Sequence, residues 1–291
     1  MAKRGYFSPD GTARKTAKIY LGDENGLSRK ITKAYIGDEN GIAREWFVSE
    51  SPIGNLPIGA SVFMNVNGVR TEFLVVQQGK PSGSWSWGDE TYSYDSSCNG
   101  TWLLMKDVYP VEMKYYDGAT HLFGYRNSTI HSYLKNTFFY LLDSNIQSVV
   151  KQVKLPLEYG GTLDTNVFLL SAYELGVYED EGSDGNPLPP ISGRKLDYFL
   201  QDGYYPQSNT KANEKRKCYN NGTLAVYPTR TTWDDYDEED DFTRLVYWCV
   251  DTSGAFTRRY TNYENVYMET PRPAMILPSD TIVDGNFDVI A

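Results

Sequence analysis

An acidic run at residues 234–241 is the densest group of potentially reactive side chains in the chain. Seven of its eight positions carry carboxylates, and these are Asp234, Asp235, Asp237, Glu238, Glu239, Asp240 and Asp241, with Tyr236 between them. Like charges this close repel one another unless a cation or a basic partner neutralises them, so calcium binding is one interpretation. The run lacks the glycine and the ligand spacing of an EF-hand loop, and acidic runs are usually solvated. We predict a solvated or ligand-facing loop, with no bound metal or other cofactor.

A second group of interest lies in the run TRRYTNYENVY, between a turn and the last strand-like segment. Its arginines, tyrosines and asparagines include Arg258, Arg259, Tyr260, Asn262, Tyr263 and Asn265. These residue types supply bidentate donors, rigid aromatic anchors and adaptable amides, which is the chemistry of protein binding surfaces. A polar loop that is merely rich in tyrosine is the alternative. Trp233 and Tyr236 add two further aromatic side chains, and we favour a binding surface over this alternative.

The cysteines and histidines do not form a recognisable catalytic or metal-binding pattern. They are Cys98, Cys218, Cys249, His121 and His131, and no CxxC or HxxxH spacing joins them. Cys249 lies in an apolar, strand-like run and is expected to be a buried, inert thiol. His131 lies beside the apolar stripe of a predicted helix, where a core or capping role is expected. We therefore predict no catalytic residue and no enzyme activity.

The composition is that of a globular protein with an acidic surface. The 291 residues are 40% hydrophobic and 23% charged, and the net charge is −10. An acidic body repels phosphate backbones, so nucleic acid is not an expected partner. No apolar run approaches the roughly 20 residues that span a bilayer, and the start, MAKRGYFSPDGTARK, lacks the apolar stretch of a signal peptide. We expect synthesis in the cytoplasm without a signal peptide, and no membrane insertion.

Residues 1–49 contain an internal repeat. The run AKIYLGDENGLSRKITK is followed by KAYIGDENGIAREWF, so that Tyr20 aligns with Tyr35. Each copy places a strand-like run before the turn sequence GDENG, which predicts two β-hairpins. So few apolar residues do not stabilise an isolated domain. We expect a docking or oligomerisation module, which is compatible with a homo-oligomer, and a β-extension packed on its own body is the alternative.

The remainder, residues 58–291, is predicted to be one α+β domain that follows a linker at 49–60 rich in Ser, Pro and Gly. It opens with strands over 61–76 around the hairpin signal Asn67-Gly68 and continues with an amphipathic helix over 128–142. Its order of elements excludes a doubly wound parallel sheet.

The domain closes with strand-like segments at 245–251 and 272–278. We expect this last strand to lie in one sheet region with the first strands, with the helix packed against it. Strand alternation places Trp248 and Val250 toward the core.

Four phrases occur in this body in a characteristic order: GASVFMNVNGVRTEFLVVQQG, RNSTIHSYLKNTFFYLLDSNIQSVV, VFLLSAYELG and RPAMILPS. Together they resemble a domain family of uncharacterised function that is widespread in Firmicutes and their phages and belongs to the C-type-lectin-like fold. The resemblance covers about residues 58–280. It implies an α+β, C-type-lectin-like domain with a small N-terminal β-hairpin repeat module.

Many members of that wider group are variable proteins of diversity-generating retroelements, displayed at phage tail tips or cell surfaces. Their pattern joins an aromatic pair and Thr-Arg-Ser-Pro to a Trp-containing strand, a Ser-Gly turn and Val-Arg-Pro-Ala. Here the corresponding segments are 227–232, 247–250, Ser253-Gly254 and 271–274. Pro228 replaces an aromatic residue and Thr231-Thr232 replaces Ser-Pro, departures that fit a changing segment.

The resemblance implies an exposed, diversifiable C-terminal face that binds a ligand. The residues expected to line this face are Tyr227, Thr229, Thr231, Trp233, Asp234, Asp235, Tyr236, Asp237, Tyr247, Arg258, Arg259, Tyr260, Asn262, Tyr263 and Asn265. The implied partner is a protein or glycan receptor on a host cell surface. The implied location is the virion, in a phage tail, or a cell surface, with the N-terminal module bound to a virion tail component.

Two other functions stay open at this point. A lectin-fold enzyme related to sulfatase-modifying oxidases would bring two thiols or a metal cluster into one pocket. A purely structural virion protein would present no cluster of exposed aromatic residues.

Overall fold

The computed structural model describes residues 50–87, 90–117, 124–158, 161–177, 193–200, 210–237, 242–261 and 267–290, together with four strands between residues 19 and 48. The four N-terminal strands and residues 86–87, 90, 200, 210–212, 234–237, 242–245 and 260–261 are described by their backbone alone.

The N-terminal repeat forms two β-hairpins, as its sequence predicts. β1 (Ile19–Gly22) pairs with β2 (Ser28–Ile31), and β3 (Lys33–Gly37) pairs with β4 (Ala43–Val48), both antiparallel. In each copy the first glycine of GDENG is the last residue of the first strand, and the rest of the predicted turn lies outside the described residues.

The body is a mixture of short strands and a few short helices. Its strands are β5 (Glu50–Pro52), β6 (Ser61–Val66), β7 (Val69–Gln78), β8 (Trp85–Trp87), β9 (Glu90–Tyr92), β10 (Thr101–Met105), β11 (Met113–Lys114), β12 (Val153–Pro156), β13 (Thr162–Thr165), β14 (Val167–Phe168), β15 (Tyr219–Asn220), β16 (Thr223–Leu224), β17 (Tyr227–Asp237), β18 (Phe242–Val250), β19 (Phe256–Thr261), β20 (Met268–Glu269), β21 (Ala274–Leu277), β22 (Ile282–Asp284) and β23 (Val289–Ile290). Its helices are α1 (Thr129–Asn136), α2 (Ser144–Val149), α3 (Asp197–Leu200) and α4 (Thr210–Arg216), with 3-10 turns at Ile53–Asn55, Ser96–Cys98, Tyr125–Asn127 and Phe138–Leu141. The fold is therefore mixed α+β, with most of the regular structure in sheets. Among the residues described, no helix has the length and apolar character needed to cross a membrane.

A five-stranded antiparallel sheet in the order β14-β21-β10-β7-β6 forms the centre of the body. Asn67 and Gly68 join β6 to β7 with φ of 51° and 74°, and left-handed backbone at both positions is the geometry of a type I′ hairpin turn. β10 is buried at every position, so both faces of the sheet are covered there. The prediction that the first and last strands share a sheet is confirmed, because β7 and β21 both pair with β10.

The predicted helix over 128–142 packs against this sheet through β14, as expected, but it is shorter than predicted. Ser128 caps α1 by accepting a hydrogen bond at 3.0 Å from the His131 amide. Thr137 leaves the helical region at φ −128°, and the next residues form a 3-10 turn. A β-branched residue followed by three aromatic residues has low helix propensity, so the apolar spacing continues beyond the end of the helix.

His131 is buried, as predicted, and its Nδ1 lies 2.8 Å from the Arg126 carbonyl oxygen. Burial lowers the pKa of this imidazole, which therefore favours the neutral form. Its place at the capped start of α1 is that of a structural residue.

Residues 50–57, which the sequence assigned to a linker, are part of the body. β5 pairs with β22, Ile53 is fully buried, and Gln78 donates hydrogen bonds at 3.0 Å to the carbonyl groups of Ile53 and Leu56. The linker prediction rested on the Ser, Pro and Gly content and gave too little weight to the apolar residues between them. β5 begins two residues after β4 ends, so the N-terminal hairpins lead directly into a sheet of the body.

Candidate functional site

The C-terminal sheet joins the two groups of residues that the sequence singled out. β18 pairs with β17 on one side and with β19 on the other, both antiparallel. Leu245 on β18 lies opposite Asp234 on β17 and opposite Thr261 on β19. With strands about 4.8 Å apart, the backbones of Asp234 and Thr261 are roughly 10 Å from each other. The acidic run and the run that follows Thr261 therefore start from the same rung of one sheet.

Four of the predicted ligand-binding residues lie in the core. Tyr227 and Tyr247 are 2% exposed, and Thr229 and Thr231 are fully buried. The expectation that they line an exposed face is corrected for these four residues. Residues 246–250 of β18 are all buried, so other parts of the protein cover both faces of this strand. The alternation of side chains along the strand therefore does not produce one core face and one exposed, ligand-binding face. Trp248 and Val250 are in the core, as predicted.

Aromatic contacts hold β18 on both of its faces. The rings of Tyr115 and Tyr247 stack with centroids 4.1 Å apart, and the Tyr115 hydroxyl donates to the Thr229 carbonyl at 3.0 Å. On the other face, Trp248 packs edge-on against Phe256 at 6.4 Å. The base of the C-terminal sheet is therefore built into the core.

Trp233 and Arg258 form a partly exposed cluster farther along this sheet. Arg258 lies opposite Trp248 in register, and its guanidinium carbon is 5.7 Å from the centre of the Trp233 ring and 5.9 Å from that of Trp248. A guanidinium within about 6 Å of an indole ring is in the range of a cation–π interaction. Trp and Arg side chains of this kind dominate the energetics of many interfaces.

Arg259, the next residue, binds the buried carboxylate of Glu269. Arg259 Nη1 is 2.5 Å from Glu269 Oε1, and the Tyr247 hydroxyl donates to the same oxygen at 2.9 Å. The Arg259 side chain is 20% exposed, against 1% for Glu269, and its guanidinium lies 4.5 Å from the ring centre of the exposed Tyr267. Burial raises the pKa of Glu269, although Arg259 and Tyr247 act in the opposite direction. Arg259 is thus held by the core instead of being freely exposed, which the sequence did not predict.

The remaining predicted residues are described less fully. Asp234, Asp235, Tyr236 and Asp237 are described as backbone in β17, and Tyr260 as backbone in β19. Asn262, Tyr263, Asn265 and residues 238–241 of the acidic run lie outside the described residues. Among the side chains that the structure does describe, no group of three or more His, Cys, Asp or Glu residues is arranged to hold a metal ion.

A buried ion pair between Glu174 and Arg230, which no sequence pattern predicted, anchors β17 to the body. Arg230 Nη2 is 2.5 Å from Glu174 Oε1, and Arg230 Nη1 binds Oε2. The Tyr94 hydroxyl also donates to Glu174, at 2.8 Å. The sequence does contain a sign of this pair, because Glu174 and Arg230 are isolated charges within the apolar runs VFLLSAYELG and AVYPTRTTW. Charged residues in such runs are buried only when they are paired.

Arg272 of the RPAMILPS phrase is a second buried arginine. It is 1% exposed, and it donates hydrogen bonds to the carbonyl groups of Met105 at 2.9 Å and Lys106 at 2.7 Å. Its guanidinium lies 5.1 Å from the ring centre of Tyr227. The arginine of this phrase therefore joins the chain after β10 to the start of β17.

All three cysteines are buried free thiols, as predicted for Cys249. Burial raises the pKa of Cys98 to about 12 and that of Cys218 to about 11. Burial also raises the pKa of Cys249 well above its ordinary value. Thiols with such pKa values are protonated at neutral pH, and the protonated form is a poor nucleophile.

Comparison with known proteins identifies the family of the chain. The chain belongs to the family described as "Domain of unknown function (DUF6273)", whose family model matches residues 99–279. This range runs from just before β10 to just after β21 and includes the whole C-terminal sheet. Neither the curated proteins nor the solved structures contain a significant match to the chain.

Proposed function

We propose that this protein binds a receptor, a protein or a glycan on a host cell surface, through the far end of its C-terminal sheet. The observation that carries the proposal is the shared rung of Asp234, Leu245 and Thr261. β17 continues from this rung through Asp237 at one edge of the sheet, and the residues rich in Tyr and Asn follow Thr261 in the sequence, where β19 ends at the other edge. Together with Trp233 and Arg258 they supply aromatic, cationic and acidic groups, which suit recognition of a polar macromolecule.

The attachment of the C-terminal sheet to the core supports a binding face whose residues can be substituted without unfolding the protein. The Glu174–Arg230 pair and the Tyr115–Tyr247 stack hold its base in the core. Binding residues are commonly carried on segments that a rigid scaffold positions, because such segments vary without loss of the core. This arrangement favours a diversifiable binding face on a C-type-lectin-like body, as the four phrases of the sequence suggest.

The N-terminal hairpins support a role in attachment. They precede β5 with a single intervening residue, so they are joined directly to a sheet of the body. In this proposal they dock on a virion tail component, or on copies of the chain, and display the body at the tail or at a cell surface. The buried, protonated thiols favour a binding protein over a lectin-fold oxidase that needs a reactive cysteine pair.

Binding to intact cells tests the proposal directly. Fluorescently labelled protein is applied to a panel of Firmicutes strains, and bound protein is measured by flow cytometry. The variant Trp233→Ala/Arg258→Ala should bind a recognised strain with a Kd about thirtyfold higher, since two interface anchors together contribute on the order of 2 kcal/mol or more. The control is Tyr140→Ala, which removes a 66% exposed aromatic side chain from a different element. Equal binding of the wild type and the double variant to every strain, or binding to none, would contradict the proposal.

Diversification is tested in the neighbouring DNA. A reverse transcriptase gene and a near-copy of the 3′ coding segment are expected beside this gene. Substitutions between closely related copies should fall at adenine-containing codons beyond residue 230. A neighbourhood without either feature would show a fixed binding face.

Removal of residues 1–49 tests the attachment role. The shortened chain keeps β5 and should stay folded, while losing its assembly or its attachment to virions, as measured by light scattering and by co-sedimentation with particles. Unchanged assembly together with unchanged attachment would contradict a docking role for the hairpins.

A further inference from the structure

A cleft of about 330 Å³ lies on a different part of the body, between the β8–β9 hairpin and the β12–β13 hairpin. One wall carries Tyr92 and Asp95, the opposite wall carries Lys154 and Thr162, and Trp85 and Pro156 contribute apolar surface. None of the residues predicted to bind a receptor lines this cleft. Its volume is at the low end of the range for small-ligand sites, about 300–1,000 Å³.

The two walls are fixed to each other by Ser97. The Ser97 amide donates to Asp95 Oδ1 at 2.8 Å, and the Ser97 hydroxyl accepts a hydrogen bond from the Lys154 amide at 2.9 Å. Hydrogen bonds from Ser97 lower the pKa of Asp95, and the nearby Lys154 acts in the same direction, so this carboxylate is ionised at neutral pH. Ser97 therefore holds together the two segments that bring one negative and one positive residue, Asp95 and Lys154, to the lining of the cleft.

The inner part of the cleft is equally fixed. Trp85 is 4% exposed and packs edge-on against Tyr94 at 5.5 Å. The Tyr94 hydroxyl in turn donates to the buried Glu174 at 2.8 Å. Tyr92 lies opposite Trp85 in the β8–β9 pair and is half-buried, so it supplies the accessible aromatic surface. The cleft thus combines apolar surface at its base with polar groups along its rim.

We propose that this cleft binds a single neutral sugar residue of a glycan. A pyranose ring has apolar C–H faces and a rim of hydroxyl groups, each of which both donates and accepts hydrogen bonds. The apolar base and the Tyr92 ring receive the C–H face, the Asp95 carboxylate accepts from one hydroxyl, and the Lys154 ammonium donates to another. Because these two charges are opposite in sign, the rim as a whole favours a neutral ligand over an anion or a cation.

Ligand-observed NMR with the full-length chain tests this site. The probes are the methyl glycosides of glucose, galactose, mannose, N-acetylglucosamine and N-acetylgalactosamine, and saturation transfer to each is measured. At least one should bind, with the strongest transfer to ring C–H protons. The affinity should fall about tenfold in Tyr92→Ala and in Asp95→Asn, which is the loss expected for one stacking or charge-assisted contact.

The variants are chosen so that folding and binding are separated. An asparagine at position 95 still caps the following 3-10 turn, so Asp95→Asn removes the charge and keeps the local fold. Thermal unfolding is recorded for each variant, and Tyr140→Ala is the matched exposed-aromatic control. Trp233→Ala/Arg258→Ala should bind the sugar normally, so failure of the proposed receptor face leaves this result unaffected. Absence of binding to every glycoside, undiminished binding in Tyr92→Ala and Asp95→Asn, or preferential binding of a neutral zwitterion such as free glycine would overturn the proposal.

Discussion

Arg230 and Glu174 form a bidentate ion pair in which neither side chain is exposed to solvent. Arg230 belongs to β17, and Glu174 follows β14 at the edge of the central sheet. The Arg230 amide also donates to the Leu170 carbonyl at 3.1 Å, and Nη1 donates to that of Leu169 at 3.0 Å. The pair therefore fixes the start of β17 on the body, while the other end of the same strand carries the first residues of the acidic run.

Glu174→Gln should lower the free energy of unfolding by about 3–5 kcal/mol, because it leaves the Arg230 charge buried without its counter-ion. Urea unfolding followed by tryptophan fluorescence measures this loss. Glu214→Gln is the control, since Glu214 is 64% exposed in its pair with Lys217 and should cost less than about 1 kcal/mol. Equal effects of the two changes would contradict the structural role of the buried pair. The double variant Glu174→Leu/Arg230→Met removes both charges, so it should lower the free energy of unfolding less than Glu174→Gln does.

Gly254 and Gly222 have nearly the same backbone conformation in different surroundings, with φ of 83° and 84°. A Cβ on Gly254 would lie 2.1 Å from the Asn213 carbonyl oxygen, whereas a Cβ on Gly222 would have no atom within 4 Å. Gly222→Ala should cost about 1–2 kcal/mol from the left-handed conformation alone. Gly254→Ala should cost at least about 2 kcal/mol more, because backbone must move. Thermal unfolding of the two variants checks the difference, and equal losses would show that the approach of Gly254 to α4 is unimportant.

The three thiols should react with a disulfide reagent at pH 8 only after the protein unfolds. Each is buried, and burial raises the pKa of Cys218 to about 11 and that of Cys98 to about 12. The measurement is the release of thiolate from the reagent in native buffer and in guanidinium chloride, where all three cysteines should react. Rapid native reaction of one thiol would indicate an accessible thiolate and would favour the enzymatic alternative.

Local signals in the sequence were sufficient for much of the fold. The dipeptide Asn67-Gly68 predicted the β6–β7 turn, and the GDENG copies predicted two hairpins, because turn chemistry acts over a few residues. The end of α1 was missed since the apolar spacing continues through the 3-10 turn after Thr137. The packing of Ile53 was missed because burial depends on the rest of the fold.

The candidate site was less accessible to sequence reasoning. The alternation of side chains along β18 predicted that Trp248 points into the core, but it did not predict the burial of Tyr247. Tyr247 is buried because Tyr115, which is distant in the sequence, stacks on its ring. The partner of Arg259 was missed for the same reason, since a single Glu at 269 has no local pattern that marks it as buried. Contacts between residues that are distant in the sequence decide the burial of Tyr247 and the partner of Arg259, and local sequence patterns do not reveal such contacts.

The adjacent residues Arg258 and Arg259 should respond differently to replacement by alanine. Arg259→Ala removes the cation beside the buried Glu269 and should cost about 1–3 kcal/mol, less than a fully buried pair because the Arg259 side chain is 20% exposed. Arg258→Ala removes cation–π contacts with Trp233 and Trp248 and should cost about 0.5–1 kcal/mol. Urea unfolding distinguishes them, and a larger loss for Arg258→Ala would contradict the assignment of Arg259 to the core.

Glu269 should make the stability of the protein depend on pH. Burial raises its pKa in the folded state above the ordinary value of 4.5, so between these two values the folded state binds more protons than the unfolded state. The free energy of unfolding therefore falls as the pH rises from about 4.5 through the folded-state pKa, by up to about 1.4 kcal/mol per pH unit. The groups that face this carboxylate are Arg259, Tyr247 and Cys249, whose pKa values are all raised, so none of them titrates in that window.

Glu269→Gln keeps the position neutral at every pH and should remove this contribution. Urea unfolding of the wild type and the variant is measured from pH 4.5 to pH 8, and the stability of the variant relative to the wild type should increase as the pH rises. Gln and protonated Glu differ in their contacts with Arg259 and Tyr247 by an amount that does not depend on pH, so this difference shifts the whole curve without changing its slope. Parallel curves for the two proteins would mean that Glu269 titrates in the folded protein as it does in the unfolded chain, and that the Arg259 and Tyr247 contacts offset the effect of burial completely.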